Sequence, residues 1–246
     1  FLEMFLYRRA ARVVTVTESF RQILLQRGLP PHKVITVTNG ADVDFFVPGP
    51  RDNKVREELG LRGKFIISYI GAHGISQGLE TVLEAARLLR DAPDIVFLLV
   101  GEGAEKRALL ALCTQHNLEN VLMCPVQPKA RVPAYYQASD ICLVPLRDIT
   151  LFKSFIPSKI FEIMACGIPL IGAVHGEARE ILERSGAACL VGPEDAAELA
   201  GAIRWLYAHP DNRAQMGVAG RSFVCANYDR ESLAKRYEIL LEEVVA

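Results

Sequence analysis

The sequence predicts an α/β fold with a doubly wound, mostly parallel sheet. Short runs of Ile, Val and Leu alternate with longer segments of helical periodicity, and several runs are apolar throughout, as in strands buried on both faces. The predicted strands of this sheet are 65–71, 95–101, 120–124, 141–145, 169–173 and 188–191. The predicted helices are 78–90, 104–116, 157–165, 177–183, 195–207, 214–225 and 230–245.

The first 45 residues do not continue this pattern. They read as two helix–strand pairs, with helices at 1–10 and 21–27 and strands at 12–17 and 34–37. A stiff segment rich in Pro and Gly follows at 45–50. We therefore expect three parts: the end of a preceding N-terminal domain (1–45), the sheet domain (46–228) and a helix packing back toward the N-terminal domain (229–246).

The composition argues against a nucleic-acid-binding, zinc-binding or membrane-spanning protein. Half of the residues are hydrophobic and Lys plus Arg number 28 against 29 Asp plus Glu, so no overall field favours nucleic acid as a partner. The six cysteines lack the close pairing of a zinc or dithiol site. With no long apolar run and no visible signal peptide, a cytoplasmic location is expected. The helix at 1–10 would either pack on another domain or contact a membrane peripherally.

Glycine-rich turns follow the first two predicted strands of the sheet. Gly71 and Gly74 would let the backbone approach an anionic group, although a tight turn without a ligand would use the same residues. His73 would lie at the cleft edge, donate to phosphate or sugar and titrate near neutral pH, or else bond within the turn. Gly101 and Gly103 form the second turn, for which turn geometry alone is the favoured explanation and contact with a ligand the alternative.

The segment 153–169 combines polar residues, a helix start and a strand. Pro157 or Ser158 suits the helix N-terminus, where Lys159 and nearby amides would face phosphate oxygens. Ser158 and Glu162 are four residues apart and share one helix face, so the Glu162 carboxylate would accept hydrogen bonds from a ribose diol. The alternatives are a solvated lysine and a surface salt bridge.

At these residues the sequence resembles the retaining nucleotide-sugar glycosyltransferases of group 1 (family 4), which have the two-domain GT-B fold. The resemblance rests on the stretches 38–42 (TNGAD), 99–103 (LVGEG), 132–136 (VPAYY) and 167–171 (GIPLI). It implies that 1–45 ends the acceptor-side domain and that 46–228 is the Rossmann-like, nucleotide-sugar-binding domain. Lys159 and Glu162 would be catalytic. The donor would contact Gly71, His73, Gly74, Gly101, Gly103, Val126, Ser154, Pro157, Ser158, Lys159, Ile160 and Glu162, with the backbone near Val126 reading the base.

Two departures from the family pattern bear on the donor. The family carries two acidic residues separated by seven others, and here the first position is Ser154, which puts the identity and orientation of the sugar in question. The usual Arg and Lys after the first glycine are Ala72 and Gln77, which leaves the diphosphate to backbone amides, His73 and Lys159. Both features resemble the colanic-acid and O-antigen enzymes, although an inactive relative would show them too.

The resemblance implies transfer of a sugar, with retention, from a UDP-N-acetylated sugar to a saccharide or lipid-linked acceptor in cell-surface polysaccharide biosynthesis. No cofactor and no metal ion are expected. A sugar-nucleotide epimerase of the same fold and a non-catalytic nucleotide-binding module are the alternatives.

Overall fold

The computed structural model describes residues 2–245. Phe1 and Ala246, the outermost residues of the predicted segments 1–10 and 229–246, lie outside the described residues. The strands are β1 (Val13–Thr15), β2 (Val34–Thr36), β3 (Phe65–Ile70), β4 (Ile95–Val100), β5 (Val121–Cys124), β6 (Ile141–Pro145), β7 (Leu170–Ala173) and β8 (Ala188–Leu190). The helices are α1 (Leu2–Arg9), α2 (Glu18–Gln26), α3 (Lys54–Glu58), α4 (Leu79–Leu88), α5 (Lys106–Gln115), α6 (Val132–Gln137), α7 (Lys159–Ala165), α8 (Gly176–Ser185), α9 (Ala196–Ala208), α10 (Pro210–Asn227) and α11 (Arg230–Val245).

Six of the strands form one parallel sheet in the order β5-β4-β3-β6-β7-β8. The chain builds outward from β3 to β5, then returns to the other side of β3 and builds outward to β8. The prediction of a doubly wound parallel sheet is therefore confirmed. The direction of winding reverses between β3 and β6, and open α/β sheets bind ligands at the carboxyl ends of the strands that flank such a reversal.

Helices cover both faces of this sheet. Helices α4, α5 and α9 bury their apolar residues against one face, and α3, α6, α7, α8 and α10 bury theirs against the other. The central strand β3 is buried along its whole length. This two-sided covering explains why the strands are apolar throughout instead of alternating with polar residues.

The N-terminal part forms a separate two-stranded parallel sheet from β1 and β2, with a small core of its own around Val13, Leu24, Leu29 and Val34. It joins the rest through a bridge between Ala41 and Asp229, where α10 gives way to α11. The proposed division at residues 45 and 228 stays a prediction. Within residues 2–245, no helix has both the length and the apolar character needed to cross a membrane.

Several boundaries differ from the predictions for physical reasons. Helix α2 begins at Glu18 because the Thr17 hydroxyl accepts a hydrogen bond from the Phe20 amide and caps the helix. Helix α10 begins at Pro210, a residue suited to a first turn. The short helices α3 and α6 were not predicted. Arg56 of α3 is buried and donates to the Ala138 carbonyl beyond α6, a long-range contact that local periodicity does not reveal.

Candidate functional site

A cavity of about 150 Å³ lies at the carboxyl ends of β3 and β6, where the direction of winding reverses. Its walls come from the ends of the two strands, the turn after β3 and the segment before α7: Tyr69, Ala72, Gln77, Val144, Pro145, Leu146, Phe155, Pro157, Ser158 and Lys159. The fold therefore brings the predicted residues Pro157, Ser158 and Lys159 to the place where this sheet topology positions ligands.

Lys159 is half-buried at this cavity instead of extending into solvent as a first-turn lysine. Its Nζ lies 3.8 Å from the centroid of the Tyr69 ring, a cation–π arrangement. A Cβ on Gly71 would lie 2.6 Å from the same nitrogen, so the glycine leaves room for the ammonium. Within residues 2–245 the ammonium has no carboxylate partner. Burial lowers the pKa of Lys159 to about 7 because it disfavours the charged form.

Tyr69 is a site residue that the sequence patterns did not predict. Its hydroxyl donates a hydrogen bond of 2.7 Å to the Ala72 carbonyl, which fixes the ring beneath Lys159. Burial raises the pKa of Tyr69, so the phenol stays protonated at physiological pH. Residues two apart in a strand share a face. The position of Tyr69 two residues before Gly71 was therefore the signal in the sequence that could have placed Tyr69 at this site.

Glu162 lies on α7 and accepts a hydrogen bond of 3.1 Å at Oε2 from the Tyr136 hydroxyl. It is half-buried and, within residues 2–245, forms no salt bridge, which sets aside the surface salt-bridge alternative. Burial raises the pKa of Glu162, while the Tyr136 hydrogen bond and the Arg230 charge act in the opposite direction. Ser158 is exposed, so the two residues of the predicted shared face differ in their surroundings.

The two glycine turns pack directly on one another. A Cβ on Gly101 would overlap the Gly71 carbonyl, and one on Gly103 would overlap the backbone of His73. The Gly74 amide donates to Gln77 Oε1 at 3.1 Å, so the glutamine holds the first turn. Close packing thus accounts for both glycines of the second turn, and their contact with a donor stays a prediction.

His73 does not lie at the cleft edge, where the sequence analysis expected it. Its side chain is fully buried beneath the turn, and neither ring nitrogen has a hydrogen-bond partner in the described part of the chain. Burial lowers the pKa of His73 and the Lys106 charge lowers it further, so the ring is neutral at physiological pH. A role for His73 toward a donor would require movement of the turn.

The other predicted donor contacts are dispersed. Ile160 is fully buried and its amide donates to the Pro157 carbonyl, so neither group faces the cavity. Helix α7 begins at Lys159, after Ser158, instead of at 157. Val126 is exposed in the loop after β5, and Ser154 ends a short 3₁₀ turn. Neither Val126 nor Ser154 lines the cavity.

The arrangement combines a half-buried cation, which forms no ion pair among the described residues, with a carboxylate three residues along the same helix. Such a cation attracts phosphate oxygens, and such a carboxylate accepts hydrogen bonds from hydroxyl groups. Both groups lie on α7, whose inner face is anchored by the fully buried Ile160 and Phe161. The chemistry fits a ligand that carries phosphate and a diol.

Comparison with known proteins identifies the family. Residues 51–223 match the family described as glycosyl transferases group 1. The chain is 28% identical over 231 residues to the putative colanic acid biosynthesis glycosyl transferase WcaI of Escherichia coli (strain K12), covering 92% of this chain and 55% of that protein. It is 30% identical over 227 residues to D-inositol 3-phosphate glycosyltransferase of Gordonia bronchialis, covering 86% of this chain and 48% of that protein. The chain thus spans about half the length of the curated relatives it matches.

Solved structures show the same fold. The crystal structure of Anabaena Alr3699/HepE in complex with UDP and glucose superposes with a TM-score of 0.84 at 21% identity, covering 96% of this chain and 64% of that one. The C-terminal domain of the group 1 protein LpcC from Francisella tularensis superposes with a TM-score of 0.65 at 20% identity, covering 78% of this chain and all of that one. The chain therefore belongs to the group 1 glycosyltransferase family and has the α/β architecture of a GT-B glycosyltransferase domain.

Proposed function

We propose that this chain is the donor-binding part of a glycosyltransferase of cell-surface polysaccharide biosynthesis. The enzyme transfers a sugar from a UDP-sugar to a saccharide or lipid-linked acceptor, with retention at the anomeric carbon. The observation that carries the proposal is the Lys159 ammonium, which lies half-buried at the carboxyl ends of β3 and β6 without a carboxylate partner in the described chain. A cation kept at that place with no ion pair in the described part of the chain is suited to a diphosphate.

In the proposed reaction, negative charge builds up on the diphosphate as the bond to the sugar breaks. A fixed cation stabilises that charge as it develops, and the partial burial of Lys159 strengthens the interaction. Lys159 thus takes the charge-neutralising role, and the proposal requires neither a metal ion nor a cofactor. Glu162 takes the role of ribose acceptor that the family resemblance implies.

The choice of a UDP-N-acetylated sugar draws on separate support for the nucleotide and for the sugar. The solved Anabaena Alr3699/HepE structures contain UDP, or UDP-glucose, in a protein of the same fold. The N-acetylated sugar is the finer part of the proposal and rests on the resemblance to colanic-acid and O-antigen enzymes, together with Ser154 in place of an acidic residue.

For the N-terminal helix α1 we propose packing on a neighbouring domain instead of contact with a membrane, in an enzyme acting in the cytoplasm. Met4 and Tyr7 pack on the small core of the β1–β2 sheet, while Leu2, Phe5 and Leu6 are exposed. Sedimentation with anionic lipid vesicles tests this point, and vesicle binding lost when the three exposed residues become serine would contradict it.

The phosphate role of Lys159 is tested by comparing UDP with uridine. Lys159→Met keeps the unbranched side chain apart from its terminal ammonium, so we expect affinity for UDP to fall about tenfold or more while affinity for uridine changes little. Calorimetric titration measures both. Lys64→Met is the control, because Lys64 lies at the amino end of β3, where its Nζ donates to the Pro93 carbonyl.

Equal losses for UDP and uridine in the Lys159 variant would contradict the phosphate role. A loss of UDP affinity in the Lys64 variant would show that the effect is general and not tied to the cavity.

A further inference from the structure

The Glu162 carboxylate has one oxygen held by the protein and one left open. Oε2 accepts the 3.1 Å hydrogen bond from Tyr136. Oε1 has no hydrogen-bond partner within residues 2–245. It is also not one of the buried, unpaired polar atoms of these residues, so it is accessible to solvent. The carboxylate is therefore oriented on one side and available on the other.

Tyr136 is itself held firmly. Its side chain is 2% exposed and packs against the Phe46 ring, with ring centroids 6.1 Å apart. Its phenol has only two side-chain torsions, so little freedom remains once the ring is packed. The hydroxyl therefore reaches Glu162 from a fixed direction.

The end of α6 is anchored to the sheet by buried polar contacts. Arg56 Nε donates to the Ala138 carbonyl at 2.8 Å, and Arg56 Nη2 pairs with Asp140 at 2.6 Å. Asp140 also accepts from the Ile66 amide at 2.7 Å, which ties the segment to β3. Ser139 Oγ bonds to the Tyr135 carbonyl at 2.8 Å. These contacts set the position from which Tyr136 meets α7.

We propose that Tyr136 is a positioning residue for ribose recognition: it binds Oε2 of Glu162 so that Oε1 is presented to the ribose hydroxyls of the nucleotide. The role of Tyr136 rests on the proposed function, and it assigns recognition of the ribose to Tyr136 and Glu162 together. A carboxylate without the phenol would rotate about its terminal torsion, which is broad for glutamate, and would lose part of its orientation.

The hydrogen bond also favours the ionised form of Glu162. The charged and titratable groups around this carboxyl are Tyr136 on α6, Lys159 on α7, Cys166 just after α7, Arg230 at the start of α11 and Lys129 in the turn before α6. Burial raises the pKa of Glu162, and the phenol is the largest of the contributions that lower it. Without the phenol, the pKa of Glu162 would be higher, so the carboxylate would take up a proton at a higher pH. Nucleotide binding would then be lost at a higher pH when the solution is acidified.

The test uses Tyr136→Phe, which keeps the packed ring and removes the hydroxyl. Its ligands are UDP and 2′,3′-dideoxyuridine diphosphate, titrated calorimetrically. Tyr228→Phe is the matched control, because Tyr228 is 8% exposed and stacks on Phe161 of α7, while its hydroxyl accepts from Arg184 instead of contacting Glu162. Thermal unfolding of both variants checks that they fold.

We expect Tyr136→Phe to reduce the preference for UDP over the dideoxy nucleotide by about fivefold, the effect of one hydrogen bond of about 1 kcal/mol, with the dideoxy affinity unchanged. The acid decline of UDP binding should shift to higher pH in this variant alone. An unchanged preference, or an equal loss for both ligands, would overturn the positioning role while leaving the proposed function in place. Failure of the unaltered chain to bind either nucleotide would overturn both.

Discussion

The side chain of Lys159 connects binding to pH. In the folded chain its pKa is about 7, whereas the ordinary value is 10.5. Between these two values the unfolded state holds a proton that the folded state has released, so the free energy of unfolding rises with pH across that window. A half-buried cation that forms no ion pair within residues 2–245 thus reduces stability at neutral pH, as expected of a residue kept for binding.

This gives a prediction for Lys159→Met. Between pH 7 and pH 9, the free energy of unfolding of the native chain should rise by about 1 kcal/mol relative to that of the variant. This is less than the full pKa shift implies, because Nζ still reaches the open cavity. Urea unfolding of both proteins at the two pH values measures the difference. A constant difference between native chain and variant would show that Lys159 keeps its ordinary pKa.

At the residue scale, the sequence pointed to Lys159 and Glu162 but not to the residues that hold them. Both lie in a short segment where a helix start follows polar residues, which local pattern reveals. Their partners Tyr69 and Tyr136 come from β3 and α6, and only the folded sheet brings those elements beside α7. His73 was misplaced for the same reason, because its burial depends on the turn after β4.

Among the elements, the contact between the turn after β3 and the turn after β4 is the one most sensitive to added atoms. A Cβ on Gly103 would overlap the carbonyl oxygen, the carbonyl carbon and the amide nitrogen of His73. Because these are backbone atoms, a side-chain rotation cannot relieve the overlap. We expect Gly103→Ala to lower the free energy of unfolding by about 2 kcal/mol and to weaken UDP binding through displacement of the first turn.

Gly201→Ala is the matched control. A Cβ at Gly201 of α9 would have no neighbour within 4 Å, so alanine should raise the free energy of unfolding by about 0.5–1 kcal/mol through helix propensity. Urea unfolding of both variants measures the contrast. Equal effects of the two substitutions would contradict the close approach of the two turns.

How well a helix or strand could be predicted from the sequence depends on its length and on how it is buried. The strands of the large sheet were recognised because both faces are covered, which makes their sequences continuously apolar. Helices α3 and α6 span five and six residues, too few to show a period. Their positions depend on the buried pair of Arg56 with Asp140, which are far apart in sequence.

In the whole molecule, one carboxylate adds to the contacts between the N-terminal part and the large sheet domain, beside the bridge between Ala41 and Asp229. Glu177, in the first turn of α8, accepts hydrogen bonds from the Glu18 amide, the Ser19 amide and the Ser19 hydroxyl, each at 2.9 Å. These amides lie at the start of α2, where an anion is favoured. The contact therefore fixes the approach of the two parts.

We expect Glu177→Ala to expose both amides, so their hydrogen exchange should accelerate about fivefold or more, the effect of losing a helix cap. Exchange monitored by NMR resolves Glu18 and Ser19. Glu183→Ala is the control, because Glu183 lies on the same helix and, in the described part of the chain, forms its ion pair with Arg179. Unchanged exchange in the Glu177 variant would mean that the two parts are held together elsewhere.

The proposed function requires that the region around Lys159 and Glu162 bind a uridine nucleotide. The most direct measurement is calorimetric titration of the unaltered chain and of Glu162→Ala with UDP, GDP and ADP in the presence of EDTA. We expect UDP to bind in preference to GDP and ADP, and the variant to lose about tenfold in UDP affinity through the ribose hydroxyls. Binding of no nucleotide by the unaltered chain, or UDP affinity that the variant retains in full, would contradict the account.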